Sequence, residues 1–130
     1  RLDLSSGILI KDNHLKAGGG VIPTINKIMK STPAIPVELE ADHLEQVKEA
    51  METDVDGFLL DNMDPDMIRR GVNLIRKFAG GDEIFIEASG GITIDNLSDY
   101  VTTGIDAISI GALTHSVKSA EINMEIVEVS

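Results

Sequence analysis

Gly7-Ile-Leu-Ile-Lys11-Asp-Asn-His14 is the stretch that decides the fold, because a short apolar run ends there abruptly in charged and polar side chains. Three consecutive glycines, at positions 18–20, follow it and leave the backbone free to bend. In parallel α/β folds the carboxyl ends of the strands face the crevice where ligands bind. We therefore predict a buried strand over residues 7–10 whose end carries functional side chains.

The same pattern recurs four more times along the chain. Further apolar runs end at residues 39, 60, 86 and 110. Spacings of about 20 to 30 residues match βα units in series. Strands bracketed by helices predict a parallel sheet that is covered on both faces. A closed eightfold barrel needs about 250 residues, so five units predict an α/β fold that is a partial, TIM-like (β/α) barrel.

Helical patterns separate these runs. Apolar spacing predicts a helix over 22–30. Asp42 with Glu45 resembles a capping box, and Asp64 followed by proline is a strong helix start whose apolar face continues to Phe78. A further helix is predicted over 94–103, with Gly104 as its C-terminal cap. The tail, 121–129, alternates apolar and polar residues and predicts either an edge strand or a segment that docks on another domain.

The composition limits the possible functions. The chain has 130 residues, enough for one domain with a core, and only 3% of them are aromatic, so the core must be aliphatic. Eleven basic and 22 acidic residues give a formal charge of -11. This balance argues against a nucleic acid or an anionic membrane as partner, since both are held by clustered Lys and Arg. Cysteine is absent, which excludes disulfides and thiolate zinc sites, and no run of about 18 apolar residues could span a bilayer.

Carboxylates lie at two neighbouring strand ends. Glu38 and Glu40 alternate with apolar residues in the second strand, and Asp61 directly follows the third. Two carboxylates on adjacent strand tips can share Mg²⁺, with water and substrate phosphate completing its shell. The alternatives are a solvated edge strand for Glu38, and an Asx turn or helix cap leading into Asp64 for Asp61.

Glycine-containing loops follow the last two parallel strands. Ser89-Gly90-Gly91 and Gly111, with His115 beyond it, occupy the places where barrels commonly build phosphate sites from loop amides. A simple turn is the alternative for each glycine, and His115 could instead begin a surface helix. Lys11 either extends to solvent or points into the site, and its neighbours favour the second interpretation. A lone His beside a loop is usually structural, so His14 is left out of the candidate site.

Together and in this order, these segments resemble one family, quinolinate phosphoribosyltransferase, also called nicotinate-nucleotide pyrophosphorylase (carboxylating). The matching segments extend from Arg1 to about residue 116 and are Gly-Ile-Leu-Ile-Lys11-Asp-Asn-His, Val-Glu-Leu-Glu40, Leu-Leu-Asp61-Asn-Met, Glu87-Ala-Ser89-Gly-Gly-Ile and Ile-Ser-Ile-Gly111-Ala-Leu-Thr-His115-Ser. The resemblance departs before the third strand, where Glu52-Thr-Asp-Val-Asp56 replaces the family's usual Ala-Gly-Ala-Asp. We expect this departure to affect packing and not the site.

The resemblance implies an activity. It implies transfer of phosphoribose from phosphoribosyl pyrophosphate to quinolinate, which gives nicotinate mononucleotide, pyrophosphate and CO₂ in NAD biosynthesis. It further implies Mg²⁺ as cofactor, a cytoplasmic homodimer or higher homo-oligomer, and an α+β domain preceding residues 1–130, which would form the C-terminal part of an incomplete barrel domain. The open sheet of the predicted fold and the lack of an initiating Met lead us to expect a missing N-terminal portion as well.

The resemblance also implies roles for individual residues. Arg1 would bind the substrate carboxylates, and Lys11 would lie near both substrates. Glu40 and Asp61 would act with Mg²⁺ and the ribose hydroxyls. The 5′-phosphate pocket would comprise Ser89, Gly90, Gly91, Gly111 and His115.

Other functions remain open at this point. The nearest is a phosphoribosyltransferase of the same fold that uses nicotinic acid. A more distant one is a sugar-phosphate isomerase or aldolase, which in the second case would need a Schiff base on Lys11. A half barrel that serves only as an assembly module is the non-enzymatic alternative.

Overall fold

Strands and helices alternate along the chain in the computed structural model, which describes residues 7–110 and the backbone of one further strand at 122–125. The strands are β1 (Ile8–Ile10), β2 (Val37–Ala41), β3 (Gly57–Asp61), β4 (Phe85–Ser89), β5 (Ala107–Ile110) and β6 (Ile122–Glu125). The helices are α1 (Asp12–Gly18), α2 (Val21–Ser31), α3 (Leu44–Ala50), α4 (Pro65–Lys77) and α5 (Leu97–Val101). A short 3₁₀ turn, Gly81–Glu83, precedes β4.

The six strands form one sheet in chain order. Neighbouring strands from β1 to β5 pair in parallel, and β6 adds to β5 in the antiparallel direction. The predicted fold class, an α/β partial barrel of about five parallel βα units, is confirmed. The edge-strand interpretation of the tail is confirmed for 122–125. Among the described residues, no helix is long and apolar enough to cross a membrane.

In the described part of the chain the helices lie against one face of the sheet, so for this part the prediction of two covered faces was wrong. Leu39, Leu60 and Ile86 are fully buried, whereas Glu40 and Leu59, which alternate with them, are half-buried. Successive helices also contact each other, from α1 to α5. The physical reason is handedness: crossovers between sequentially ordered parallel strands turn the same way, which puts every helix on the same face. The other face therefore carries the polar side chains that alternate with the core.

Two aspartates, one directly before β3 and one directly before β5, hydrogen-bond the backbone of the preceding strand. The Asp56 carboxylate accepts a hydrogen bond from the Val37 amide (2.8 Å), and the amide of Asp56 donates to the Val37 carbonyl (2.9 Å). Asp106 repeats both bonds with Ile86, at 2.8 and 2.7 Å. Arg76 of α4 reaches the same Asp106 carboxylate at 3.2 Å. These repeated contacts lie at the amino ends of the strands, so they join neighbouring βα units away from the strand ends that carry the candidate site.

Helix α1 was not predicted. Its seven residues bury only Leu15, so they lack the repeated apolar spacing that identifies longer helices. Its first turn is closed by His14, whose Nδ1 accepts a hydrogen bond from the Lys11 amide at 2.9 Å. This contact agrees with the structural interpretation of His14.

Four predicted helix ends were also wrong, one of them the C-cap of α5, which is Thr102 and not Gly104. The N-cap of α3 is His43 and not Asp42, because the Gln46 side-chain oxygen accepts the amides of both residues, at 3.0 and 3.2 Å. Helix α5 begins at Leu97 and not at Ile94, which is 65% exposed in a preceding turn. Phe78 adopts extended backbone after α4 and is 38% exposed, so it does not continue that helix's apolar face.

Candidate active site

The structure brings the predicted site residues to one edge of the sheet. Lys11 follows β1, Glu40 lies near the end of β2, and Asp61 and Ser89 are the last residues of β3 and β4. Because these strands are parallel neighbours, their carboxyl ends meet, and Asp61 pairs directly with Ser89 in the strand register. Three other predicted residues, Arg1, Gly111 and His115, lie outside the described residues.

Asp61 is tied to the neighbouring strand. The Ser89 hydroxyl donates to Asp61 Oδ1 at 3.0 Å. The helix-cap alternative for Asp61 is wrong, because Asp64 caps α4 by accepting the Met67 amide at 2.8 Å. Asp61 is therefore a half-buried carboxylate at a strand tip, oriented by a side chain from β4.

Glu40 lies in a locally acidic environment. Partial burial raises its pKa, the Asp61 charge raises it further, and the Lys11 charge opposes both effects. Lys11 is exposed, yet its charge reaches Glu40. A carboxylate whose ionisation is disfavoured by a neighbouring negative charge is stabilised by a cation placed beside it. The site as described therefore favours a cationic or metal-bound ligand.

The donor set at this edge fits Mg²⁺ only in part. Within the described stretch, no group of three or more Asp, Glu or His side chains could enclose a metal ion. Glu40 and Asp61 supply hard carboxylate oxygens, the ligand type that Mg²⁺ prefers. Mg²⁺ typically keeps several waters and takes one or two protein carboxylates together with substrate phosphate, so the two side chains suit that mode.

The loop after β4 approaches β3 closely. Gly90 and Gly91 both have left-handed backbone, with φ of 82° and 71°. A Cβ on Gly90 would lie 2.8 Å from both the Asn62 amide nitrogen and Asp61 Oδ1, whereas a Cβ on Gly91 would meet nothing within 4 Å. Gly90 is therefore required by its neighbours, while the Gly91 backbone borders open space. The Asn96 side-chain amide donates a hydrogen bond to the Gly91 carbonyl at 2.9 Å.

A second polar set lies two residues earlier on the strands; sequence reasoning named Glu38 as one of its carboxylates but did not assign Glu87 or Ser109. Ser109 donates to Glu87 Oε2 at 2.9 Å, and Glu87 hydrogen-bonds the Glu38 carboxyl. Glu38 is only 8% exposed, so the solvated-edge alternative was wrong. Burial, followed by the charges of Glu87 and Glu40, raises the pKa of Glu38 to about 8. The period-two alternation that the sequence shows for Glu38 and Glu40 continues in β4, where Glu87 lies two residues before Ser89, and this signal could have found Glu87.

Comparison with known proteins identifies the same family as the sequence motifs. The family described as quinolinate phosphoribosyl transferase, C-terminal domain, matches residues 1–125. A probable nicotinate-nucleotide pyrophosphorylase (carboxylating) of Bacillus subtilis is 38% identical over 97% of this chain, and the corresponding protein of Mycobacterium leprae is 34% identical over 97%. The solved nicotinate-nucleotide pyrophosphorylase of Francisella tularensis superposes with a TM-score of 0.76 at 30% identity, over 89% of this chain and 40% of its own. The chain spans 42% and 44% of the length of the two curated relatives.

Proposed function

This chain belongs to the quinolinate phosphoribosyltransferase family, and from that premise we propose that it forms the phosphoribosyl-transferring part of an enzyme that acts on quinolinate. The reaction joins phosphoribose from phosphoribosyl pyrophosphate to the pyridine nitrogen. It releases pyrophosphate and then CO₂, and leaves nicotinate mononucleotide for NAD biosynthesis. The observation that carries the proposal is the meeting of Lys11, Glu40, Asp61 and Ser89 at one edge of four adjacent parallel strands.

The two carboxylates would act on the sugar. When the bond from ribose C1 to pyrophosphate breaks, C1 gains oxocarbenium-like positive charge. A preorganised carboxylate stabilises such charge more strongly in the transition state than in the substrate. Asp61 is suited to this role because the Ser89 hydroxyl holds its orientation. Glu40 would support the same charge or bind the ribose hydroxyls.

The cations would act on the substrates' negative charges. Lys11 would counter the pyrophosphate or the quinolinate carboxylates, two anionic groups that repel each other unless a cation lies between them. Mg²⁺ bound with the substrate would be held by Glu40 and Asp61, directly or through water, and would supply positive charge to the leaving group. Loss of CO₂ would then leave an electron pair on ring carbon C2, which the positive pyridinium created by glycosyl transfer stabilises until a proton from solvent replaces the lost carboxylate. We assign the carboxylate contacts of the ring to Arg1.

The 5′-phosphate would bind at the loop that begins with Ser89. The open side of Gly91 leaves room for an anion beside loop amides. Gly111 and His115 complete the proposed phosphate pocket, as the family resemblance implies. The proposal also includes a homo-oligomer, which sedimentation tests, and a cytoplasmic location.

A direct assay tests the proposed reaction. The full protein is supplied with Mg²⁺, phosphoribosyl pyrophosphate and quinolinate labelled at the 2-carboxyl group. We expect labelled CO₂ and pyrophosphate in equal amounts. Pyrophosphate release with nicotinic acid but not with quinolinate would refute the substrate assignment. Borohydride trapping of a sugar phosphate on Lys11 would indicate an aldolase instead.

A further inference from the structure

Asn62, the residue directly after Asp61, has an unusual backbone conformation. Its φ is 59°, which makes it the one non-glycine residue with left-handed backbone in the described part of the chain. An L-residue rarely adopts this conformation because its Cβ approaches the following carbonyl oxygen, although asparagine tolerates it better than most residues. Such backbone persists where surrounding contacts impose it, and it concentrates at functional sites.

The contacts that impose it join two strand ends. The Asn62 amide donates to the Ser89 carbonyl at 2.9 Å, while the Ser89 hydroxyl donates to Asp61 Oδ1 at 3.0 Å. Gly90 fits directly against this junction, since a Cβ there would lie 2.8 Å from the Asn62 amide and from Asp61 Oδ1. The Asn62 amide therefore continues the β3–β4 ladder while the Asp61 carboxylate receives a hydrogen bond from the same strand, and the left-handed turn redirects the chain directly after that amide.

The next residue is fixed from the other side. The Tyr100 hydroxyl, in a buried position on α5, donates to the Met63 carbonyl at 3.0 Å. The segment from Asp61 to Met63 is thus held between β4 and α5, and Asn62 provides the change of direction between the two attachments. Its own side chain is exposed, so the conformation of its backbone is the feature that these contacts use.

We propose that Asn62 is a positioning residue: its left-handed backbone locks the Asp61 carboxylate to the Ser89–Gly91 loop, so that the carboxylate and the phosphate-binding loop form one preorganised unit. The consequence for catalysis rests on the proposed function, whereas the mechanical coupling does not. If the unit loosens, Asp61 loses its fixed orientation toward the ribose, and misorientation costs rate more than ground-state binding.

Three variants separate the backbone of Asn62 from its side chain. Asn62→Ala keeps a Cβ but loses the tolerance for left-handed backbone, whereas Asn62→Gly adopts that backbone freely. Asn73→Ala is the matched control, because Asn73 is an exposed asparagine within α4, away from the strand tips. Each variant of the full protein is assayed for kcat and for both KM values, with rates normalised to folded protein. Hydrogen exchange of the residue 62 amide is measured in parallel.

We expect Asn62→Ala to lower kcat about tenfold, the size expected from the left-handed penalty of an ordinary residue. The KM for quinolinate should stay within about twofold, since the changed group acts on the ribose. Asn62→Gly should restore most of kcat, and Asn73→Ala should match the wild type. Exchange at residue 62 should accelerate about tenfold in Asn62→Ala and return toward the wild-type rate in Asn62→Gly.

Two results would overturn the inference. Equal impairment of Asn62→Ala and Asn62→Gly would mean that the side chain itself is needed, and wild-type kcat and exchange in Asn62→Ala would mean that nothing is locked. A wild-type protein without quinolinate-dependent turnover would refute the proposed function instead. Amide exchange would still test the coupling in that case. Loss of protection at residue 62 in Asn62→Ala, with recovery in Asn62→Gly, would support the coupling. Unchanged protection in Asn62→Ala would refute it.

Discussion

The buried carboxyl of Glu38 gives the sharpest physical prediction of the structure. Glu38 lies within hydrogen-bonding reach of Glu87, with Glu40 also nearby, and its pKa is raised from 4.5 to about 8. One of its oxygens, Oε2, is buried and has no hydrogen-bond partner among the residues that the structure describes. The group is therefore neutral in the folded protein at neutral pH, while the same group in the unfolded chain is ionised.

The sign of the pH dependence follows from proton binding. Between pH 4.5 and about 8 the folded state keeps the Glu38 proton and the unfolded state loses it. The free energy of unfolding must then fall as pH rises through this window. Each unit of pKa difference corresponds to about 1.4 kcal/mol, so the upper limit is about 5 kcal/mol. Because Glu87 shares the hydrogen bond and can relax, we expect about 2 to 5 kcal/mol.

Glu38→Gln removes the titration while it keeps the shape and a donor for Glu87. In metal-free buffer, urea unfolding from about pH 5 to about pH 9 should give a flatter stability curve for the variant than for the wild type. The two proteins should differ little near pH 5, and the variant should be more stable by about 2 to 5 kcal/mol near pH 9. Glu52→Gln, at an exposed position in the turn before β3, is the matched control and should follow the wild-type curve.

A constant difference between Glu38→Gln and the wild type across this pH range would refute the reasoning. It would mean that Glu38 is ionised in the folded protein and that its burial is compensated by another cation. A loss of stability in Glu38→Gln at every pH would instead mean that the carboxyl geometry is needed, regardless of its charge.

Three further predictions concern the strand tips. Asp61→Asn should lower kcat by about 10² to 10³ with smaller changes in KM, as expected for one electrostatic contact that strengthens in the transition state. The control is Asp82→Asn at an exposed position. Near-normal kcat with a lower Tm in Asp61→Asn would mean that Asp61 is only structural. Gly90→Ala should destabilise the fold by about 2 kcal/mol or more, against about 1 kcal/mol for Gly91→Ala, because only at Gly90 does a Cβ meet both left-handed backbone and a clash. Equal losses of stability in urea unfolding would contradict the close approach of Gly90 to Asp61 and Asn62. The 130 residues expressed alone should not form nicotinate mononucleotide, since the polar sheet face carries no helix in the described part, and detectable product by mass spectrometry would show the prediction to be wrong.

Sequence pattern predicted the elements with strong periodicity. The parallel strands were placed to within a few residues because each combines a short apolar run with a polar stop, and α4 was placed by its Asp64 cap. Helix α1 was missed because seven residues with one buried side chain carry too little pattern. The cap of α3 was misplaced by one residue. The Gln46 side chain accepts the backbone amides at the start of the helix, whereas the pair of Asp42 and Glu45 had suggested the same kind of contact one residue earlier.

The candidate site was predictable in its membership but not in its internal contacts. Lys11, Glu40, Asp61 and Ser89 could be named because parallel strands in chain order must bring their carboxyl ends together. Sequence reasoning could not predict the hydrogen bond from Ser89 to Asp61 or the left-handed turn at Asn62. Both depend on how far one strand is shifted along its neighbour. The roles of the site residues stay predictions until the variants are measured.

On the sheet face opposite the described helices, two different arrangements keep several carboxylates close together. Toward the amino ends of the strands, Glu38 is neutral and its hydrogen bond joins Glu87, which Ser109 also satisfies, so this set is stabilised within the protein. Two residues further along, the Ser89 hydroxyl donates to one oxygen of Asp61, while burial and then the Asp61 charge raise the pKa of Glu40 and the Lys11 charge lowers it. Polar residues that alternate along the same strands thus form two sets. The first set is stabilised by hydrogen bonds within the protein, and the second, Glu40 and Asp61, requires a cation for the same stabilisation. The second set lies at the strand tips, where a substrate can approach, and its negative charge is what a substrate-bound metal ion and a developing ribosyl cation would neutralise.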